Sequence, residues 1–236
     1  MTGVAANQGD GNGLTELRNR FLKVSRQVAE SALEANRKAS EVRVIAVTKG
    51  VPLDRVQAAS RLGLVDFGES RVQEARGKVG EVPSAIWHGI GRLQTNKANW
   101  AVRLFPWIHS VDREDLARQL SRAAAQFGRR PQVLVEVVIG DQATKGGVEP
   151  KRLPWLLEVV AESGHLELVG LMTVASRDHP QQDFAQLRML REQWVGRFPS
   201  LRELSMGMSD DFPLAIAEGS TMIRIGRALF GAAPTI

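Results

Sequence analysis

Val133-Leu134-Val135-Glu136-Val137-Val138-Ile139 is apolar at every position but one, and most of its residues are β-branched. A strand with one face in water alternates apolar and polar side chains. A run like this one has apolar side chains on both faces, as strands of a covered parallel sheet require. Val42–Val47 has nearly the same character. Working outward, short runs of this kind recur at Val42–Thr48, Leu64–Gly68, Ala85–Gly89, Trp107–Val111, Val133–Ile139, Leu166–Thr173, Glu203–Met206 and Thr221–Ile225, which makes eight candidate strands. Amphipathic stretches lie between them. A first helix is expected from Leu14, because Leu17, Phe21, Val24 and Val28 fall on one face at helical spacing. Pro52 opens a second helix and Gly63 follows its end. Asp112 is placed to N-cap a helix running to Phe127, with Gly128 beyond it in the left-handed position. Gly164 and Gly219 are expected to do the same after Pro150–Ser163 and Asp211–Glu218. Eight alternating βα units predict an α/β protein folded as a single (β/α)8 TIM barrel over residues 14–236. A doubly wound sheet is the alternative. Residues 1–13, rich in Gly, Asn and Ala without periodicity, are expected to form a disordered tail.

Composition narrows the chemistry. The 236 residues contain no cysteine, which excludes disulfides, thiolate metal sites and cysteine nucleophiles. The N-terminus has neither a basic segment nor an apolar one of the signal-peptide kind, and no stretch is long and apolar enough for a membrane helix. The expectation is a soluble cytoplasmic protein. The formal charge is +5 and the pI about 10.1, but arginines and lysines are interleaved with acids, as in Asp112-Arg113-Glu114-Asp115. Solvated helix faces account for that pattern, and no nucleic-acid partner is expected.

In a barrel of this kind chemistry gathers where strands end and βα loops begin. Lys49, Glu69, Ser70, His88, Ser110, Met172, Thr173, Ser205 and Arg224 all fall there. Lysine is scarce, seven residues against twenty-four arginines, and Lys49 closes an apolar strand just before the turn Val51-Pro52-Leu53-Asp54. A strand-end amine with apolar neighbours loses hydration, which favours the neutral form that attacks an aldehyde. The alternative is a lysine that reaches into solvent. Ser209 precedes Asp210-Asp211-Phe212-Pro213, so its hydroxyl suits either a helix cap or a phosphate. Gly226, after the last strand, lets backbone N–H groups approach an anion closely. Arg224 inside an apolar strand needs a partner, either a core carboxylate or a ligand. An amine, a hydroxyl, a glycine and an arginine at strand ends suit a phosphorylated aldehyde, pyridoxal 5'-phosphate (PLP), held on Lys49 as an imine.

These residues sit in segments that resemble the YggS/PROSC family of PLP homeostasis proteins. The segments are Ala46-Val47-Thr48-Lys49, Phe67–Glu74, Trp87–Lys97, Ser110-Val111-Asp112-Arg113, Lys145-Gly146-Gly147, Gly170-Leu171-Met172 and Leu204–Gly231. The resemblance implies a monomeric barrel like the N-terminal domain of alanine racemase. It implies Lys49 as the Schiff-base lysine, Ser209, Gly226 and the backbone of Arg227 around the phosphate, and Arg224 facing the pyridine nitrogen. Ser70, His88 and Met172 are expected to line the cofactor, and Asn96 and Lys97 belong to a motif near the mouth. The chain departs from the family at Thr48 (usually serine), Ser70 (asparagine), Arg92 (histidine or proline) and Arg227 (threonine).

The resemblance implies intracellular PLP homeostasis and delivery, with apo PLP-dependent enzymes as partners. The alternative is a PLP-dependent amino-acid racemase. Racemisation takes a base on each face of the cofactor, in alanine racemase the lysine and a tyrosine, and this sequence has no tyrosine. The sequence also stops soon after its last barrel strand, where a racemase continues into a β-domain. A cation at the ring nitrogen disfavours its protonation and weakens the ring as an electron sink. Robust racemase activity is therefore not expected, with His88 the candidate second base if there is one.

Overall fold

The structure, a computed structural model, describes residues 9–140 and 146–231. Eight parallel strands close into a barrel in sequence order, β1 (Arg43–Val47), β2 (Asp66–Glu69), β3 (Ile86–Gly89), β4 (Trp107–Val111), β5 (Gln132–Glu136), β6 (Glu167–Met172), β7 (Glu203–Ser205) and β8 (Met222–Ile225). The barrel closes where β8 pairs with β1, Ile45 opposite Arg224 and Ala46 opposite Ile225. Val133, Leu134 and Val135 of β5 are all fully buried, as apolar side chains on both faces of a covered strand must be. All eight expected strands are present, and the doubly wound alternative is excluded by closure.

The helices between them are α1 (Gly9–Glu34), α2 (Leu53–Arg61), α3 (Val72–Arg76), α4 (Ala98–Leu104), α5 (Glu114–Gln126), α6 (Leu153–Ala161), α7 (Pro180–Val195), α8 (Phe212–Ala217) and α9 (Arg227–Phe230). Leu17, Val24 and Val28 of α1 are buried, and the helix packs on α8 and α9 beside the β1–β8 seam. α1 starts before Leu14, so residues 9–13 of the expected tail are helical; residues 1–8 lie outside the described residues.

Helix ends follow the expectations unevenly. Gly128 and Gly219 have positive φ, 59° and 88°. Gly164 does not, because α6 already stops at Ala161 and a further turn separates them. Asp112 does not cap α5; it is held at 2.5 Å by Arg113, the residue at the N-cap position.

Most of the core lies between the strands and the helix ring. Inside the barrel Leu134, Val169 and Met172 form a smaller apolar cluster, and a set of polar side chains shares the interior. Asp66, His88, His109, Ser205 and Arg224 are all buried there.

Candidate functional site

Lys49 follows β1 in the turn before α2, and lines a cleft of about 200 Å3 with Val47, Gly50, Pro52, Arg55, Gly226 and Arg227. First and last strands therefore meet in one site. The side chain of Lys49 is exposed, so the burial among apolar neighbours that the sequence suggested is absent; Gly50 follows it with a φ of 68°. The layer beneath is fixed. Thr48 is fully buried, and its hydroxyl donates to Glu69 Oε1 at 2.7 Å. Lys78 Nζ donates to the same oxygen at 2.6 Å and to the Thr48 carbonyl at 2.7 Å. A buried ion pair with these extra bonds is costly to break, since one lost partner leaves an uncompensated charge. Glu74 Oε2 accepts from the Gly50 amide at 2.9 Å, so the turn that carries Lys49 is braced from two sides.

On the opposite wall, β8 ends at Ile225, and Gly226 is the N-cap residue of α9. The Ser209 hydroxyl accepts from the Ala228 amide at 3.2 Å. Ser209 thus caps α9 across a neighbouring loop, and the helix it precedes, α8, has Asp211 at its N-cap position and no side-chain cap. The first N–H groups of a helix lack partners within it and favour an anion. The Arg227 side chain pairs with Asp210 on the surface, and Arg227 is among the residues that line the cleft.

Arg224 is buried in the barrel near the strands' C-terminal ends. Nη1 donates to the Ser205 carbonyl at 2.8 Å and to Ser205 Oγ at 2.7 Å, and Nη2 to the Thr173 carbonyl at 2.8 Å. Burial lowers its pKa to about 10, with Glu136 and Asp211 pulling the other way. It remains a cation at neutral pH.

Of the expected residues only Gly226 and Arg227 line the Lys49 cleft with it; Ser209, Arg224 and the others do not. Ser70 stands in a separate small pocket with Gly89 and Gly91. Met172 packs with Leu134 and Val169 inside the barrel. His88 is a hydrogen-bonded barrel residue: Nε2 lies 2.9 Å from Asp66 Oδ1, and Nδ1 lies 3.0 Å from His109 Nε2. Both imidazole pKa values are lowered, that of His109 strongly, chiefly by burial. Asn96 and Lys97 form a 3-10 turn with Thr95, which bonds Asp115 of α5. Lys145 lies outside the described residues.

Two site residues were not singled out from sequence. His109 continues the line from His88, its Nδ1 2.9 Å from Ser205 Oγ; the signal was a second polar residue in apolar β4. Glu136 ends β5, more than nine-tenths buried, and its Oε2 has no hydrogen-bond partner among the described residues. Burial, reinforced by Asp112, raises its pKa to about 7 against the opposing pull of Arg224 and Arg92.

Comparison with known proteins places this arrangement. Residues 26–234 match the family model described as alanine racemase, N-terminal domain. The pyridoxal phosphate homeostasis protein of Pseudomonas aeruginosa is 39% identical over 226 residues, 93% of this chain and 96% of that one. The protein of the same name from Deinococcus radiodurans is 41% identical over 208 residues, covering 86% and 95%. The structure of PipY from Synechococcus elongatus, solved with PLP bound, superposes with a TM-score of 0.80 at 38% identity, covering 91% of this chain and all of that one. Alanine racemase from Corynebacterium glutamicum, at 15% identity and a TM-score of 0.72, covers 94% of this chain and 62% of that one and shares the fold. With its eight-stranded barrel and this level of identity, the chain belongs to the pyridoxal phosphate homeostasis protein family, within the alanine racemase N-terminal domain fold.

Proposed function

We propose that this protein binds PLP on Lys49 as an imine and serves intracellular PLP homeostasis by holding the cofactor and passing it to apo PLP-dependent enzymes. The observation that carries the reading is the shared cleft: Lys49 lines it together with Gly226 and Arg227 across the β1–β8 seam. When bound, PLP supplies an aldehyde for the amine, a dianionic phosphate and an electron-withdrawing ring. The residues present fit those three parts. Lys49 offers the amine, and the α9 N-terminus with Ser209 offers donors to the phosphate. Arg224 offers N–H groups to the ring nitrogen. A guanidinium only donates, so it selects the unprotonated nitrogen and weakens carbanion chemistry.

His88 does not supply a racemase's second base, because both its nitrogens are engaged inside the barrel. The family membership supports a homeostatic role, and the protein is taken to work as a cytoplasmic monomer. Among the described residues no helix is long and apolar enough to cross a membrane.

The test is a titration with PLP followed by borohydride reduction and mass mapping. Lys49→Ala should lose the visible absorbance and the trapped adduct while the barrel stays folded. A full-stoichiometry adduct in that variant would assign the cofactor to another lysine, such as Lys97 or Lys145. The loaded protein should reactivate a PLP-depleted enzyme and leave L-amino acids unracemised. Racemisation that disappears with Lys49→Ala would overturn the carrier reading.

A further inference from the structure

Five buried side chains from five strands form one hydrogen-bonded line through the barrel: Arg224, Ser205, His109, His88 and Asp66. With both rings neutral, its carboxylate end sets its polarity. A guanidinium has donors only and a carboxylate has acceptors only. Arg224 Nη1 donates to one lone pair of Ser205 Oγ, and with both rings neutral the hydroxyl's own proton is directed at His109 Nδ1. His109 therefore carries its proton on Nε2 and gives it to His88 Nδ1. His88 likewise carries its proton on Nε2 and gives it to Asp66 Oδ1. Starting from Asp66 and working back yields the same assignment. Protonating His88 would set two donors face to face across the 3.0 Å gap to His109, and protonating His109 would force the Ser205 hydroxyl to turn away. Both rings are neutral because burial holds their pKa values below the usual 6.5.

We infer that Ser205 and His109 are positioning residues for Arg224, and that the line fixes the guanidinium plane while tying its charge to Asp66 near the opposite end of the barrel. The Ser205 and Thr173 acceptors engage three of the five N–H groups of the guanidinium and leave two for a ligand. At the far end Asp66 is held by Arg43, whose Nε is 3.8 Å away and whose guanidinium lies 4.8 Å above the Trp107 ring. Glu136 and Asp211 are the carboxylates whose charge acts on Arg224. The effect on a bound cofactor rests on the PLP reading, whereas the line itself is a property of the protein alone.

Two measurements separate those claims. Long-range proton–nitrogen spectra of protein labelled with 15N-histidine, at pH 7.5 and without cofactor, should show His88 and His109 neutral and protonated on Nε2. The exposed His165 and His179 complete the set and serve as references. An Nδ1–H tautomer or an imidazolium at either buried ring would overturn the line. Ser205→Ala should keep both tautomers, because Asp66 still sets the direction, which also verifies its fold. PLP is then added to wild type, Ser205→Ala and Ser205→Thr, and visible absorbance is followed against pH. Ser205→Ala should shift the titration midpoint by about 0.7 unit, the equivalent of one hydrogen bond, and Ser205→Thr should restore it. Equal midpoints in all three, or the same shift with alanine and threonine, would overturn the positioning role. Wild type that binds no PLP while showing the expected tautomers would sink the cofactor reading and support the line on its own.

Discussion

Glu136 ends an apolar strand with a carboxyl group that the barrel holds out of water, and the consequence is a stability term that depends on pH. Its folded pKa, about 7, lies above the usual 4.5. The stability this group contributes is fully present below pH 4.5 and is lost as pH rises through about 7. Glu136→Gln keeps the shape and removes the charge. At pH 8 it should raise the unfolding free energy by about 2 kcal/mol, beneath the ~3.4 kcal/mol ceiling of a full 2.5-unit shift. At pH 4.5 it should have little effect. Urea unfolding at both pH values checks this, and an equal gain at both would mean the effect is packing. The sequence displays Glu136 as the lone polar residue of its run, yet its environment comes from Asp112, Arg224 and Arg92 on three other segments. Lys49 was legible because a strand-end lysine in an arginine-rich chain is conspicuous. Arg224 was legible as a cation within an apolar strand. Its partners were not, because carbonyls of β7 and of the residue after β6 leave no trace in composition.

At the scale of the element, the strands were legible and the helix ends less so. A buried parallel strand writes its burial into every residue, whereas a cap depends on which neighbour reaches the end first. Ser209 illustrates this: it precedes α8 in sequence and caps α9 in space. The loop that carries it turns on Gly207, whose φ is 94° and where an added Cβ would lie 2.5 Å from the Ala215 Cβ of α8. Gly207→Ala should therefore cost about 2–4 kcal/mol by chemical denaturation, the strain of a left-handed backbone plus an overpacked contact. PLP affinity should fall with it as Ser209 moves. Gly164, with open space around it and no positive φ, provides the contrast. Gly164→Ala should leave stability unchanged or raise it by about 0.4–1 kcal/mol through the unfolded chain. A large loss there would mean that the α6–β6 turn is more constrained than its geometry shows.

For the whole molecule, the polar interior sets the response to acid. Burial holds the folded pKa values of His88 and His109 below 6.5, so an unfolded chain binds protons at these rings more readily than the fold does. Stability from these groups is present above pH 6.5 and lost as pH falls below it. Glu136 acts in the opposite sense over about the same range, but it is one group against two. The net expectation is a stability that declines from pH 6.5 to pH 5 and is nearly flat just above pH 6.5. Glu136→Gln should steepen that decline. Unfolding midpoints measured across pH 5–8 check it, and a profile that improves steadily toward pH 5 would show that the histidines are not held neutral.

The β1–β8 seam has a consequence for the order of events during synthesis. Lys49 leaves the ribosome well before the glycine and helix end across the cleft from it. Until β8 pairs with β1, a nascent chain presents the lysine with no opposite wall and no Arg224. A chain still in translation therefore has an amine but no pocket. A ligand that bridges the seam acts as a clasp on the finished barrel, resisting the opening of the one strand pair that joins the two ends of the sheet.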